Sequence, residues 1–355
     1  MKGKICLSIL FVYLFFASCK KEPQPQIQQL APIASLETGL VSFSIKGQLL
    51  PTVIDTQKNV ISIIIPHSFS LQSLTINFSL ANQVNATVKN TPVSSGTTMD
   101  FSKLFYFTVT SADNKRSTTY LVDVETDLFY FGLTANLIAE KSLNKDYNFY
   151  YDQFDGSTWQ SVDCGPTVAT MAIKWADSTF DKLPIDARHM IEPGGGEWST
   201  RNVSDYLNFY GVNMVGDSIS NLDSLVKANI DKNQVIILCL DTYYISVDLL
   251  PYQHLDKFYP SALPGIGHFL LVKGYKQMSN GFYLEVHDPW SQNREYYPSV
   301  IPHEPIGEDR YYLDSDIQTA TLNWDPTAYI VAPKGQQVIA STKFNNKPIP
   351  MAYGQ

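Results

Sequence analysis

Cys164 stands in Asp163-Cys-Gly-Pro-Thr167, directly ahead of a helical pattern. Val168, Met171, Ala172 and Trp175 recur behind it at i, i+3, i+4 and i+7, which is one apolar face of a helix. Pro166 suits the first turn, where a missing N–H costs nothing. A thiol at a helix N-terminus meets the positive end of the dipole and free backbone N–H groups, and both favour thiolate. Gly165, next to it, leaves room for a substrate to come close. A thiolate does chemistry only with a general base, a group that orients the base, and donors for an oxyanion. Gly265-Ile-Gly-His268-Phe-Leu-Leu-Val-Lys-Gly-Tyr275 reads as a strand entered through glycines, with His268 at its mouth. Phe282-Tyr-Leu-Glu-Val-His-Asp-Pro-Trp290 reads as a second strand ending at Asp288. Gln153 and Gln160 lie upstream of Cys164 as candidate oxyanion donors. These residue types together describe acyl transfer through a thioester, with no cofactor required.

Hairpin register tests the pairing of His268 with Asp288. A two-residue Asn280-Gly281 turn sets His268 opposite Asn293, five residues past Asp288. At about 3.3 Å per residue that is a gap of roughly 17 Å. A longer loop centred on Met278 sets the two face to face, and is the expected geometry. His287 points to the other face of its strand and reads as a bystander. The rival use of these residues is a metal cluster of His268, His287 and Asp288. Cys239 lies in the apolar run Gln234-Val-Ile-Ile-Leu-Cys-Leu240 and reads as core. His67, His189, His254 and His303 read as surface or turn residues.

Gln-x9-Asp-Cys-Gly-Pro-Thr, then Gly-His-Phe-Leu-Leu-Val-Lys-Gly-Tyr, then Val-His-Asp-Pro-Trp resembles the bacteriocin-leader-processing peptidases. These are papain-like cysteine peptidases of the double-glycine type, and the likeness is closer to their stand-alone relatives. It covers roughly Tyr147 to Ala332. The resemblance implies Cys164 as nucleophile, His268 as base and Asp288 as its orienting group. It implies Gln153 rather than Gln160 as oxyanion residue, because Tyr150-Tyr-Asp-Gln-Phe-Asp155 fits the relatives' pattern better. No transporter segment is attached, so the substrate of leader-processing peptidases is not carried over.

Other elements must position these groups. Lys2 and Lys4, an apolar run from Ile5 to Phe16, and Ala17-Ser18-Cys19 form a basic region, a short hydrophobic region and a small-residue cut. The run is shorter than the ~20 residues of a membrane-spanning helix. The leader, 1–18, resembles that of bacterial lipoproteins, in which Cys19 would be lipidated; Phe16 stands where leucine is usual. Residues 19–35, with Lys20-Lys21-Glu22 and then prolines and glutamines, read as a tether of the Bacteroidetes lipoprotein type. From 36 to 126 short alternating β-branched and aromatic runs are separated by turn residues, which argues for an all-β sandwich. Its final runs resemble the immunoglobulin-like modules of such lipoproteins. Residues 135–340 hold the α+β papain-like domain. The stretch from Tyr243 to Pro264 is long for a connector and reads as a wall or lid. Gly194-Gly-Gly-Glu-Trp198 lacks the Lys-Ser/Thr of a phosphate loop and reads as a possible edge of the substrate groove.

The formal charge is −8, and nearer −10 once the leader lysines are removed. Such a chain lacks the basic footprint of nucleic-acid binders. The expected partners are a peptide or protein substrate, and a membrane through the lipid anchor alone. The expected location is the cell envelope, at the outer membrane, on its periplasmic or surface face. Three functions compete: a peptidase or amidase, an acyltransferase using the same site, and an inactive surface-binding lipoprotein.

Overall fold

Alternation builds the first module. In Phe105–Thr110 every second side chain is buried, and the others face outward. The computed structural model describes residues 39–81, 84–111, 113–298 and 303–338. The leader, Cys19 and the tether lie outside the described residues. The strands are β1 (Leu40–Ile45), β2 (Val53–Asp55), β3 (Val60–Ile65), β4 (Leu74–Leu80), β5 (Asn85–Val88), β6 (Thr91–Pro92), β7 (Thr98–Met99), β8 (Phe105–Thr110) and β9 (Ser117–Thr126). They form a sheet β1-β4-β7 and a sheet β2-β3-β9-β8-β5-β6, in which β3 and β9 run parallel. Between the sheets the Phe107 ring stands edge-on to Phe43 and Phe78, each at 5.0 Å. Aromatic contacts of this kind add to area burial and hold the sandwich shut.

Helix α1 (Asp127–Tyr130) begins the connection to β10 (Leu137–Ser142). Leu128 and Leu133 bury there against Met278, Tyr283 and Tyr311, so the junction has an apolar core of its own. His67 lies in a turn after Pro66, as expected, but it is not a free surface residue: its ring is clamped between Asp127 and Glu140 at this junction. Nor is His254 at the surface. Its ring is buried, stacked 3.7 Å from Tyr296, with the tilted Phe131 ring 3.9 Å away.

The second module continues with α2 (Cys164–Ala176), α3 (Pro184–Met190), α4 (Thr200–Phe209), β11 (Met214–Ser218), α5 (Leu222–Ile230) and β12 (Val235–Asp241). It ends with β13 (Gly267–Met278), β14 (Gly281–His287), β15 (Arg310–Leu313), α6 (Asp314–Leu322) and β16 (Thr327–Val331). The sheet order is β11-β16-β12-β13-β14-β15, with β10 paired to the far half of β13. β12 is buried at every residue, Cys239 included, as expected of a central strand. α2 is buried on nearly all sides rather than on one stripe. Its polar positions are tolerated because Thr167 and Thr170 return their hydroxyls to the Asp163 and Pro166 carbonyls, at 2.6 and 2.8 Å. Burying Met171, Ile173 and Trp175 contributes ~1.5–3 kcal/mol each, and fixes the helix whose first residue is Cys164.

Candidate active site

Asp163 sets the position of Cys164. Its side chain does not cap α2; it is buried and bound by Arg188, with Nε at 2.7 Å and Nη2 at 2.6 Å from Oδ1. This ion pair pins the helix start to α3, leaving Cys164 half-buried with a free thiol. The Cys239 thiol is free as well. Gly165 has a different purpose from the one expected. A Cβ there would lie 2.6 Å from Trp198 Cβ, so the glycine admits the Trp198 side chain rather than a substrate. The Gly194–Trp198 loop is correspondingly packed: Trp198 is buried and Trp159 covers Gly195.

His268 lies at the start of β13, opposite Leu240 of β12. Its entry loop is tied down by Thr242 N–H to Ile266 O, 3.1 Å, and by Gly265 N–H to Asp241 Oδ2, 2.7 Å. The expected long loop between β13 and β14 is absent. Met278 pairs with Gly281, so the turn holds only Ser279 and Asn280. A regular ladder from that turn would put His268 opposite Ser291, with Asp288 on the other face. The ladder is not regular. Gly274 pairs with Glu285 but Val272 pairs with Val286, so Lys273 is a single bulged residue. The shift of one restores the phase: His268 falls opposite Trp290, two residues from Asp288 and on its face. The side chains then meet diagonally, with His268 Nε2 2.8 Å from Asp288 Oδ1. The bulge is held by the buried Lys273 ammonium, which binds Glu285, Asp309 Oδ1 at 2.7 Å and Asn144 Oδ1 at 2.6 Å.

Asp288 is fully buried and accepts four hydrogen bonds. Oδ1 takes His268 Nε2–H and the Trp290 N–H at 3.0 Å; Oδ2 takes the hydroxyls of Tyr312, 2.6 Å, and Tyr259, 3.0 Å. Burial opposes its charge, but His268 and these donors hold the carboxyl below its ordinary range. Burial likewise opposes a charged His268. The Asp288 carboxylate outweighs it by charge and hydrogen bond, Cys164 adds to it in the same two ways, and the imidazole is raised to about 10. With Nε2 directed at Asp288, Nδ1 is the ring nitrogen left for the Cys164 thiol. Tyr259 and Tyr312 were not legible in sequence. Tyr259 comes from the Tyr243–Pro264 stretch, whose wall lies behind Asp288; nothing about a tyrosine in a loop marks it as a partner of an aspartate some thirty residues on.

Gln153 is 1% exposed, and its N–H reaches the Pro289 carbonyl at 2.8 Å, beside Asp288. Its Nε2 gives one hydrogen to the Gln160 carbonyl, 2.8 Å, and keeps a second to donate. The Gln160 side chain turns away and accepts the Gly156 N–H. Thus His268 and Asp288 are joined directly, Cys164 acts on the His268 ring, and Gln153 is held between the Pro289 and Gln160 carbonyls. The His268, His287 and Asp288 metal cluster does not form, since the His287 ring packs on Phe149 and Tyr150. His287, Glu308 and Asp309 do bring ligand atoms within 4.8 Å of one another. The Lys273 ammonium at Asp309 already supplies the positive charge there.

Residues 146–314 match the Peptidase C39 like family, and residues 40–124 match the family described as SGBP, N-terminal. The second module is therefore a C39-like peptidase domain of papain-like fold, and an SGBP-type N-terminal module precedes it. Among solved structures, a candidate C39-like peptidase from Bacillus anthracis is 12% identical. The match covers 55% of this chain and 98% of that one, at a TM-score of 0.35. A candidate glycoside hydrolase from Bacteroides thetaiotaomicron is 13% identical over 86% and 97%, at 0.23. A candidate secreted protein from Bacteroides fragilis is 17% identical over 24% and 71%, at 0.18. No curated protein matches the chain. Among the described residues no helix is long and apolar enough to cross a membrane.

Proposed function

We propose that this chain is a lipid-anchored envelope cysteine peptidase or amidase, with Cys164 as nucleophile, His268 as general base and acid, Asp288 as orienting group and Gln153 as oxyanion donor. The observation that carries the reading is a single imidazole, bonded through Nε2 to a buried carboxylate and interacting with a half-buried thiol at a helix start. Cys164 Sγ attacks the amide carbonyl carbon, and the oxyanion is met by the Cys164 N–H and Gln153 Nε2. His268 Nδ1–H protonates the amine as the C–N bond breaks, leaving a thioester. Nδ1 then takes a proton from water, whose oxygen attacks the thioester; the acid departs and the thiolate returns. The leader 1–18, lipidation at Cys19, a tether to residue 35, and modules at 36–126 and 135–340 complete the proposal. The SGBP-type module favours an outer-membrane location.

Mass-resolved labelling by a thiol-directed electrophile tests the site. Cys164 labels in the wild type and loses most of that reactivity in His268→Ala. Labelling that ignores His268 refutes the catalytic reading and leaves a binding lipoprotein. A peptide library analysed by intact mass, with and without added amine, then separates hydrolysis from acyl transfer to the amine.

A further inference from the structure

His67 is the one side chain whose two ring nitrogens both face carboxylates among the described hydrogen bonds. Its Nδ1 lies 2.9 and 3.1 Å from the two oxygens of Asp127, and its backbone N–H donates to Asp127 Oδ1 at 2.8 Å. That side of the ring ties the end of β3 to the first residue of α1. Nε2 points the other way and lies 2.9 Å from Glu140 Oε1, on β10 of the second module. Glu140 Oε2 is held in turn by Lys276 Nζ, 2.6 Å away, on β13. The chain of contacts runs from the sandwich, through one imidazole, to the strand that carries His268.

We propose that His67 is a protonation-controlled latch between the two modules, closed while the imidazole is charged and released as it loses its proton. Only imidazolium donates from both nitrogens. When it is neutral, the proton stays on Nδ1, where two Asp127 oxygens and the backbone N–H fix the ring. Nε2 then turns a lone pair toward Glu140, and an attraction becomes a repulsion. The bond lost is the one that joins the His67 ring to β10. The groups around the ring set the direction. The Asp127 hydrogen bond raises the pKa, burial lowers it, and Glu140 raises it again by hydrogen bond and charge. Lys276 acts on Glu140 from β13 and holds it in its charged form. Because the folded value is above 6.5, the latch is fully present below that pH and is lost as pH rises through the folded value.

The test is small-angle scattering of the full chain across pH 5 to 10, paired with titration of the His67 13Cε1 resonance. Scattering of the wild type is expected to be constant at low pH and to broaden at the pH where His67 titrates. His67→Gln is broad throughout. Glu140→Gln removes the charge, so the His67 midpoint falls to lower pH. Lys276 holds the amide oxygen, the NH2 faces His67 and can donate to the neutral ring, and the alkaline broadening of the scattering is lost. The shift in open population across the transition is about tenfold, the worth of one charge-assisted hydrogen bond. Identical scattering of wild type and His67→Gln at every pH overturns the proposal, because the apolar junction then closes unaided. A midpoint unmoved in Glu140→Gln also overturns it. Neither readout depends on Cys164 or on any activity.

Discussion

Replacing Asp288 by Asn keeps the shape of the site and removes one charge. Asn Oδ1 still accepts from His268 Nε2, and the hydroxyls of Tyr259 and Tyr312 can rotate to accept from Nδ2. What goes is the carboxylate that stabilises imidazolium. The rise of His268 from 6.5 to about 10 corresponds to roughly 5 kcal/mol in favour of the charged ring. Asp288 contributes more of it than Cys164, so its loss removes roughly 2–3 kcal/mol and lowers the pH at which the ring loses its proton by roughly two units. The assay is the rate of Cys164 alkylation by iodoacetamide against pH. At pH 6 both rings are charged and the two proteins are expected to react alike; the difference opens in the roughly two pH units below 10, where only the wild type keeps an imidazolium beside the thiol. Above about 10 the histidine proton is gone from both proteins, so the curves converge. Stability follows the same sign. The His268 contribution is complete below pH 6.5 and is lost as pH rises through about 10, so the alkaline fall in Tm is shallower in the variant. Superimposed profiles refute the reasoning. A slowdown equal at every pH refutes it too, since that signals general damage rather than a lost charge.

Three further outcomes follow from the packing around the site. Gln153→Ala is expected to lower hydrolysis by about 10²–10³ while leaving alkylation of Cys164 within about threefold, because only acyl transfer develops an oxyanion; paired kinetics check it. Gly165→Ala forces a Cβ to within 2.6 Å of Trp198 Cβ, and is expected to cost about 1–3 kcal/mol in chemical denaturation. Arg188→Met leaves the Asp163 carboxylate buried without its partner, and is expected to cost about 3–5 kcal/mol, read as a fall in Tm.

The sequence alone determined the parts of the site that depend on local order. Cys164 ahead of an apolar helical period, His268 at the mouth of a glycine-entered strand and Asp288 at a strand end are each recognisable within about ten residues, because capping, periodicity and turn chemistry are local. The strands of the first module were legible for the same reason. Long-range pairing was not. One bulged residue, Lys273, decides whether His268 and Asp288 share a face, and a period-two pattern cannot announce an extra residue inside an apolar strand. The roles of Tyr259, Tyr312 and Gly165, and the junction contacts of His67, belong to the same class. Each is fixed by a partner tens of residues away, which tertiary packing alone selects. Sequence named the candidate groups; the folded sheet set the phase in which His268 and Asp288 meet.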